Sequence, residues 1–163
     1  MYNIGDTIVH PMHGAGTIES ITSKIIDGKE LEYYTLKLPT NNMTVMIPVA
    51  SSKSIGIRDV MSIERADELL ALIPSIEVDT VSNWNKRYRE NVARIKTGVL
   101  EDVISVIKSL ALRDLKTGLS TGERKILHSA RQILLSELAV AKGISYASLE
   151  EIFDKILLES LKV

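Results

Sequence analysis

Two rhythms of apolar and polar positions divide this chain. Between Asp6 and Pro48 apolar residues come in short runs, often at every second position, broken by Gly, Pro, Asn and Asp. Between Ser62 and Leu161 they recur every three or four positions. The first rhythm is that of strands and the second that of helices. Strands are predicted at Asp6–His10, Thr17–Ile21, Lys24–Ile26, Glu32–Leu38 and Met43–Pro48. Pro11–Gly16 and Pro39–Asn42 read as turns, and Asp27-Gly28 as a tight hairpin, because both residue types accept positive φ. Four or five short strands in about fifty residues predict a small, partly open β-barrel of the SH3 or Tudor type. Such a barrel leaves strand edges that can pair with another protein, so this part reads as a docking module.

Ser51–Ile57 reads as a connector, after which the helical period takes over. A helix runs from Ser62 to Ile73 and is stopped by Pro74, and Ser75–Val81 forms a polar link. The next helix opens at Trp84, with Ser82 as its expected N-cap, and ends near Gly98. Val99–Thr117 is closed by Gly118. Ser120-Thr121-Gly122-Glu123 is a capping box that launches a long helix closed by Gly143. Ser145 or Ser148 caps a last helix reaching Leu161. The predicted fold is α+β: a β-barrel domain over residues 1–54 and an all-α five-helix bundle over 55–163.

Composition adds exclusions. The 163 residues contain no cysteine, so disulfides and Cys-based zinc sites are absent. Met1–Asp6 has neither a basic region nor an apolar run, and no stretch has the length of a membrane span, so the expected location is the cytoplasm. The net charge of −1 conceals a division. Ser82–Arg131 holds eleven Lys and Arg against five Asp and Glu, a net +6, whereas Met61–Val81 is −4. Charge asymmetry speaks of partners rather than fold. The basic block opens at the chain's only tryptophan. Trp84, Tyr88, Val92 and Ile95 make one apolar stripe, which reads most simply as core. Lys86, Arg87, Arg89 and Arg94 fill the rest of that helix, where cations at the start oppose the macrodipole. Lys108, Arg113, Lys116, Arg124, Lys125 and Arg131 extend the block over two further helices. It is either a solvated surface or a nucleic-acid face, with basic side chains on phosphates and Trp84 on a base or in a base step.

No catalytic chemistry is evident. His10 and His13 have loop spacing but no third ligand, so no metal is expected. His128 has no evident partner. Gly14-Ala15-Gly16 lacks the third glycine and the strand–helix context of a phosphate cradle. Glu150-Glu151 and Asp67-Glu68 read as solvated helix faces. Neither an enzyme nor a cofactor is expected.

Four stretches together resemble the CarD family of bacterial transcription regulators. They are Gly5–Gly16 (GDTIVHPMHGAG), Met46–Val49 (MIPV), Asn83–Arg89 (NWNKRYR), and Arg113-Asp114 with Gly118–Arg124 (GLSTGER), continued by Ala130–Leu138 (ARQILLSEL). The first module alone would also fit transcription-repair coupling factors, but the tryptophan helix and its bundle select the stand-alone regulator. The resemblance implies a Tudor-like domain bound to the RNA polymerase β subunit and a helical domain on promoter DNA at the upstream edge of the transcription bubble. There Trp84 would wedge into the minor groove, stabilising the open complex, and Lys86, Arg87, Arg89 and Arg124 would contact DNA. Lys24 and Met46 fall where relatives touch polymerase. Some relatives carry arginine at the position of Met46, so apolar packing or strand pairing would act there instead. A protein associated with the bacterial nucleoid through polymerase is implied; nothing in the sequence demands a dimer, so a monomer is expected. The alternative from another class is an adaptor whose basic bundle binds an acidic protein; it needs Trp84 buried, whereas the regulator needs it exposed.

Overall fold

A computed structural model describes residues 1–40, 42–79 and 83–162. Five antiparallel strands form one sheet in the order β4-β3-β2-β1-β5. These are β1 (Thr7–His10), β2 (Gly14–Ile26), β3 (Lys29–Lys37), β4 (Thr44–Pro48) and β5 (Arg58–Asp59). β4 and β5 stand at opposite edges and do not pair, so the sheet is open and not a closed barrel. The sheet takes in Arg58–Asp59, residues beyond the expected division at 54, because β5 pairs with β1. Ile8, Ile18, Tyr34, Leu36, Leu38, Ile47 and Ile57 bury its inner face.

The Asp27-Gly28 hairpin forms as expected, with φ of 52° and 76° between paired Ile26 and Lys29. The two strands expected at Thr17–Ile21 and Lys24–Ile26 are one continuous strand, with a register shift between Ile18 and Ser20. It starts at Gly14, so the glycines expected in a turn are strand residues. Close approach explains them. A Cβ at Gly16 would lie 2.5 Å from the Lys37 carbonyl oxygen, and one at Gly14 would lie 2.2 Å from Ser136 Oγ.

Six α-helices are formed by the described residues: α1 (Ser52–Ile55), α2 (Ile63–Leu72), α3 (Trp84–Lys96), α4 (Leu100–Lys116), α5 (Thr121–Lys142) and α6 (Tyr146–Leu161). Five were expected. The sixth, α1, is a single turn in the serine-rich stretch expected to be a plain connector, tied by Ser52 Oγ to Val49 O and Ser54 Oγ to Ser51 O. Ser62, Ser120 and Ser145 each cap a helix by accepting the amide of the third residue on. The expected cap Ser82 lies outside the described residues, and Asn83 caps α3, accepting from the Lys86 amide. The α-helix ends at Leu72, just ahead of Pro74 as expected, and Ile73–Ser75 continues as a 3-10 turn. Lys108, counted with the surface cations, is buried beneath that turn and donates to the carbonyls of Ile73, Pro74 and Ile76. Burial pulls its ammonium below the ordinary lysine pKa. The helical core gathers Leu69, Ile73, Ile104, Ile107, Leu134, Leu138, Leu149 and Phe153, while Val106, Leu110 and Ile126 form a second cluster under α3.

Sheet and bundle meet along α5. The Ala15 amide donates to Ser136 Oγ at 2.9 Å. Glu137, 0% exposed, takes both Arg58 guanidinium arms at 2.7 and 2.6 Å and the Met61 amide at 2.9 Å. A carboxylate stripped of water needs every one of these donors.

Gly14 has φ of +91° and no room, whereas Gly5 has φ of +92° and open space. Gly14→Ala is expected to cost about 2–4 kcal/mol, combining left-handed strain with overpacking, and Gly5→Ala about 1–2 kcal/mol from the backbone alone. Urea denaturation of the two variants measures the difference.

Candidate nucleic-acid interface

The apolar stripe of α3 divides at its first residue. Tyr88, Val92 and Ile95 pack on Val106, Leu110 and Ile126, as a core stripe should. Trp84 overhangs that cluster at the helix start and stays 44% exposed. Its indole stacks on Tyr88, with centroids 5.2 Å apart and planes 23° from parallel. Its Nε1–H donates to Ser120 Oγ at 3.1 Å, at the start of α5. The N-termini of α3 and α5 therefore meet at the tryptophan.

The cations around it separate into two kinds. Lys86 is exposed and, among the described residues, pairs only with Glu90, at 4.0 Å. Arg89 is exposed, with a long contact from Nε to Asn85 O at 3.4 Å. Arg124 has a side chain 61% exposed, 3.5 Å from Asp114. Exposed pairs at such distances hold their partners weakly and leave them available to phosphate. Arg87, also expected to contact DNA, is different. It is 5% exposed, and its Nε and Nη2 donate to Glu123 at 2.8 and 3.2 Å. Arg87 points inward because it stands four residues before buried Asn91, on the flank of the stripe that α4 and α5 cover. Arg94 pairs with Asp79 and Arg131 with Glu150 and Asp154, so the basic block presents less charge to solvent than its +6 suggests.

Ser120 and Tyr88 were not expected at this site. The signal for Ser120 was its capping box, read only for helix stability. The box itself departs from the usual reciprocal form. The Glu123 amide donates to Ser120 Oγ at 3.2 Å, but the Glu123 carboxylate turns to Arg87 and accepts from the Ser120 hydroxyl at 3.3 Å.

Lys24 and Met46 also lie together. Lys24 Nζ stands 3.4 Å from Met46 Sδ and 5.9 Å from the centre of the Tyr33 ring, on β2, β4 and β3 respectively. Ile25, Ile26 and Leu31 are exposed beside Lys24. This apolar end of the hairpin lies roughly 30 Å along β2 from the Gly14 junction, at about 3.3 Å per residue.

His10 and His13 have ring centres 4.6 Å apart, and His10 Nδ1 accepts the Met12 amide at 3.0 Å. Burial, with His13 beside it, holds the His10 imidazole below its ordinary pKa. Among the described residues no three His, Asp or Glu side chains are grouped to hold a metal, and no helix is long and apolar enough to cross a membrane.

Residues 68–154 match the family model of the CarD C-terminal domain, and residues 2–79 match that of the CarD-like/TRCF RID domain. The chain belongs to the CarD family. It is 38% identical over 145 residues to Putative transcription factor YdeB of Bacillus subtilis (strain 168), covering 89% of this chain and 95% of that relative. Transcription regulation is the role this membership supports. The C-terminal match contains the start of α3, the start of α5 and the Arg87–Glu123 pair; the RID match contains the sheet with Lys24 and Met46.

The hydrogen bonds from Arg87 hold the Glu123 carboxyl below the ordinary carboxylate pKa, despite the opposing effect of burial. A depressed carboxylate pKa stabilises the fold above the unfolded value, and that contribution is lost as pH falls through the folded one. Glu123→Gln is therefore expected to lower stability at pH 7 by about 2–4 kcal/mol, since it leaves a buried guanidinium without its counter-charge. It is also expected to flatten the loss of stability below the ordinary carboxylate pKa. Urea midpoints collected from pH 7 to pH 3 check both.

Proposed function

We propose that this CarD-family protein bridges RNA polymerase and promoter DNA and stabilises the open complex. Its sheet docks on the polymerase β subunit through the hairpin end that carries Lys24 and Met46. Exposed Ile25, Ile26 and Leu31 supply apolar area there, and the unpaired side of β4 offers backbone donors and acceptors to an incoming strand. The joined starts of α3 and α5 meet the DNA at the upstream edge of the bubble. Lys86, Arg89 and Arg124 lie on phosphates, and Trp84 enters the minor groove. Arg87 serves the same site from inside the protein.

The observation that carries this reading is the half-exposed indole among exposed cations. A tryptophan that served only the core would not keep 44% of its surface in water. The same observation speaks against the adaptor alternative, which needs Trp84 buried. The family and the relative's name describe a transcription factor rather than an enzyme.

A wedge shifts the promoter toward melting only by binding the melted form better than the closed one. One stacked base is worth about 1–3 kcal/mol, which corresponds to roughly five- to a hundredfold in the open-complex population. Docking on polymerase supplies a high local concentration, so the isolated protein needs only weak affinity for DNA. With the cognate polymerase on a linear promoter, the protein is expected to lengthen the open-complex lifetime, and Trp84→Ala to remove most of that gain. Lys86→Ala and Arg89→Ala should weaken it in a salt-dependent way. A wild-type protein that binds polymerase yet leaves the lifetime unchanged would overturn the DNA half of the proposal.

A further inference from the structure

The exposed indole is held by a polar chain that runs from the exposed N-cap of α5, Ser120, to the buried Glu123–Arg87 pair. Trp84 Nε1–H donates to Ser120 Oγ at 3.1 Å, the Glu123 amide donates to the same oxygen at 3.2 Å, and the hydroxyl proton points to Glu123 Oε1 at 3.3 Å. A serine hydroxyl has one proton and two lone pairs, so Ser120 is fully used. Beyond it, Glu123 accepts from Arg87 at 2.8 and 3.2 Å, with both side chains almost wholly buried. Arg87 sits on α3 three residues after the tryptophan, so the chain closes a loop from α3 through α5 and back to α3. Stacking on Tyr88 fixes the plane of the indole, and the Ser120 bond fixes its rotation within that plane.

We propose that Ser120, Glu123 and Arg87 are positioning residues for Trp84, which lock the indole in its DNA-entering orientation before DNA arrives. This rests on the reading of Trp84 as the wedge. A side chain already ordered in the free protein loses less rotational freedom on insertion, so more of its contact energy appears as open-complex stability. Buried pairs of this kind are often neutral for stability against an apolar replacement, which leaves orientation as their distinct contribution.

Ser120→Gly separates orientation from folding. Glycine is nearly as good an N-cap as serine, so α5 keeps its start while the indole loses its acceptor. Ser120→Thr restores the hydroxyl. Trp84 is the only tryptophan, so fluorescence reports it alone. In Ser120→Gly the urea midpoint should stay close to wild type. The nanosecond anisotropy decay of Trp84 should gain a fast local component, and acrylamide quenching should rise about twofold. The open-complex lifetime should fall about two- to tenfold, the range of one hydrogen bond, with Ser120→Thr recovering both readouts. The positioning claim is overturned if Ser120→Gly keeps wild-type anisotropy, or if it loosens the indole yet keeps the wild-type lifetime on a promoter where Trp84→Ala shortens it. If Trp84→Ala itself leaves the lifetime unchanged, the wedge reading fails, and with it the claim that the locked orientation is one for entering DNA.

Discussion

The structure depends on one buried carboxylate. Glu137 lies inside the junction between sheet and bundle, and its water has been replaced by the Arg58 guanidinium and the Met61 amide. Beside it, Ser136 receives the Ala15 amide at the one place where Gly14 lets β2 approach α5. Without this grip the chain would be two small units on a linker. With it, the hairpin end of the sheet and the tryptophan end of the bundle belong to one framework. The same helix carries both fastenings, since Ser120 and Glu123 at its start hold α3 and the indole.

Charge is used here in two ways that composition alone merges. Lys86, Arg89 and Arg124 remain in water, where a cation costs little and can exchange a weak partner for a phosphate. Arg87 and Lys108 are withdrawn from water and spent on internal acceptors, one on Glu123 and the other on three backbone carbonyls. Both kinds add equally to a net charge, yet only the first can meet an anionic polymer.

What the sequence made legible follows from range. Asp27-Gly28, the serine caps and the change from a two-residue to a three-to-four-residue rhythm are local, so the hairpin, the helix starts and the α+β class could be read directly. The glycines at 14 and 16 were misplaced in a turn because the atoms that require them, Ser136 Oγ and Lys37 O, lie far off in sequence. The burial of Arg87 was not legible for the same reason: Glu123 is on another helix. Its inward direction had a faint signal, since Arg87, Asn91 and Arg94 repeat the spacing of Tyr88, Val92 and Ile95 along the adjoining face. Trp84 satisfied both readings in part, being first in a core stripe and too near the helix end to be covered.

The single helix that joins the two fastenings also sets an angular phase. From Glu123 to Ser136 it turns about 100° and advances about 1.5 Å per residue. One residue added between them would swing the start of the helix by that angle about its axis relative to the sheet, and would turn core residues such as Ala130 and Leu134 out of register with it. Seven added residues would nearly restore the angle but displace the tryptophan by about 10 Å. Chain length can thus vary at the Asp27-Gly28 tip, where nothing is measured from it. Within α5 it behaves as a gear tooth count, which no local repair at either end can compensate.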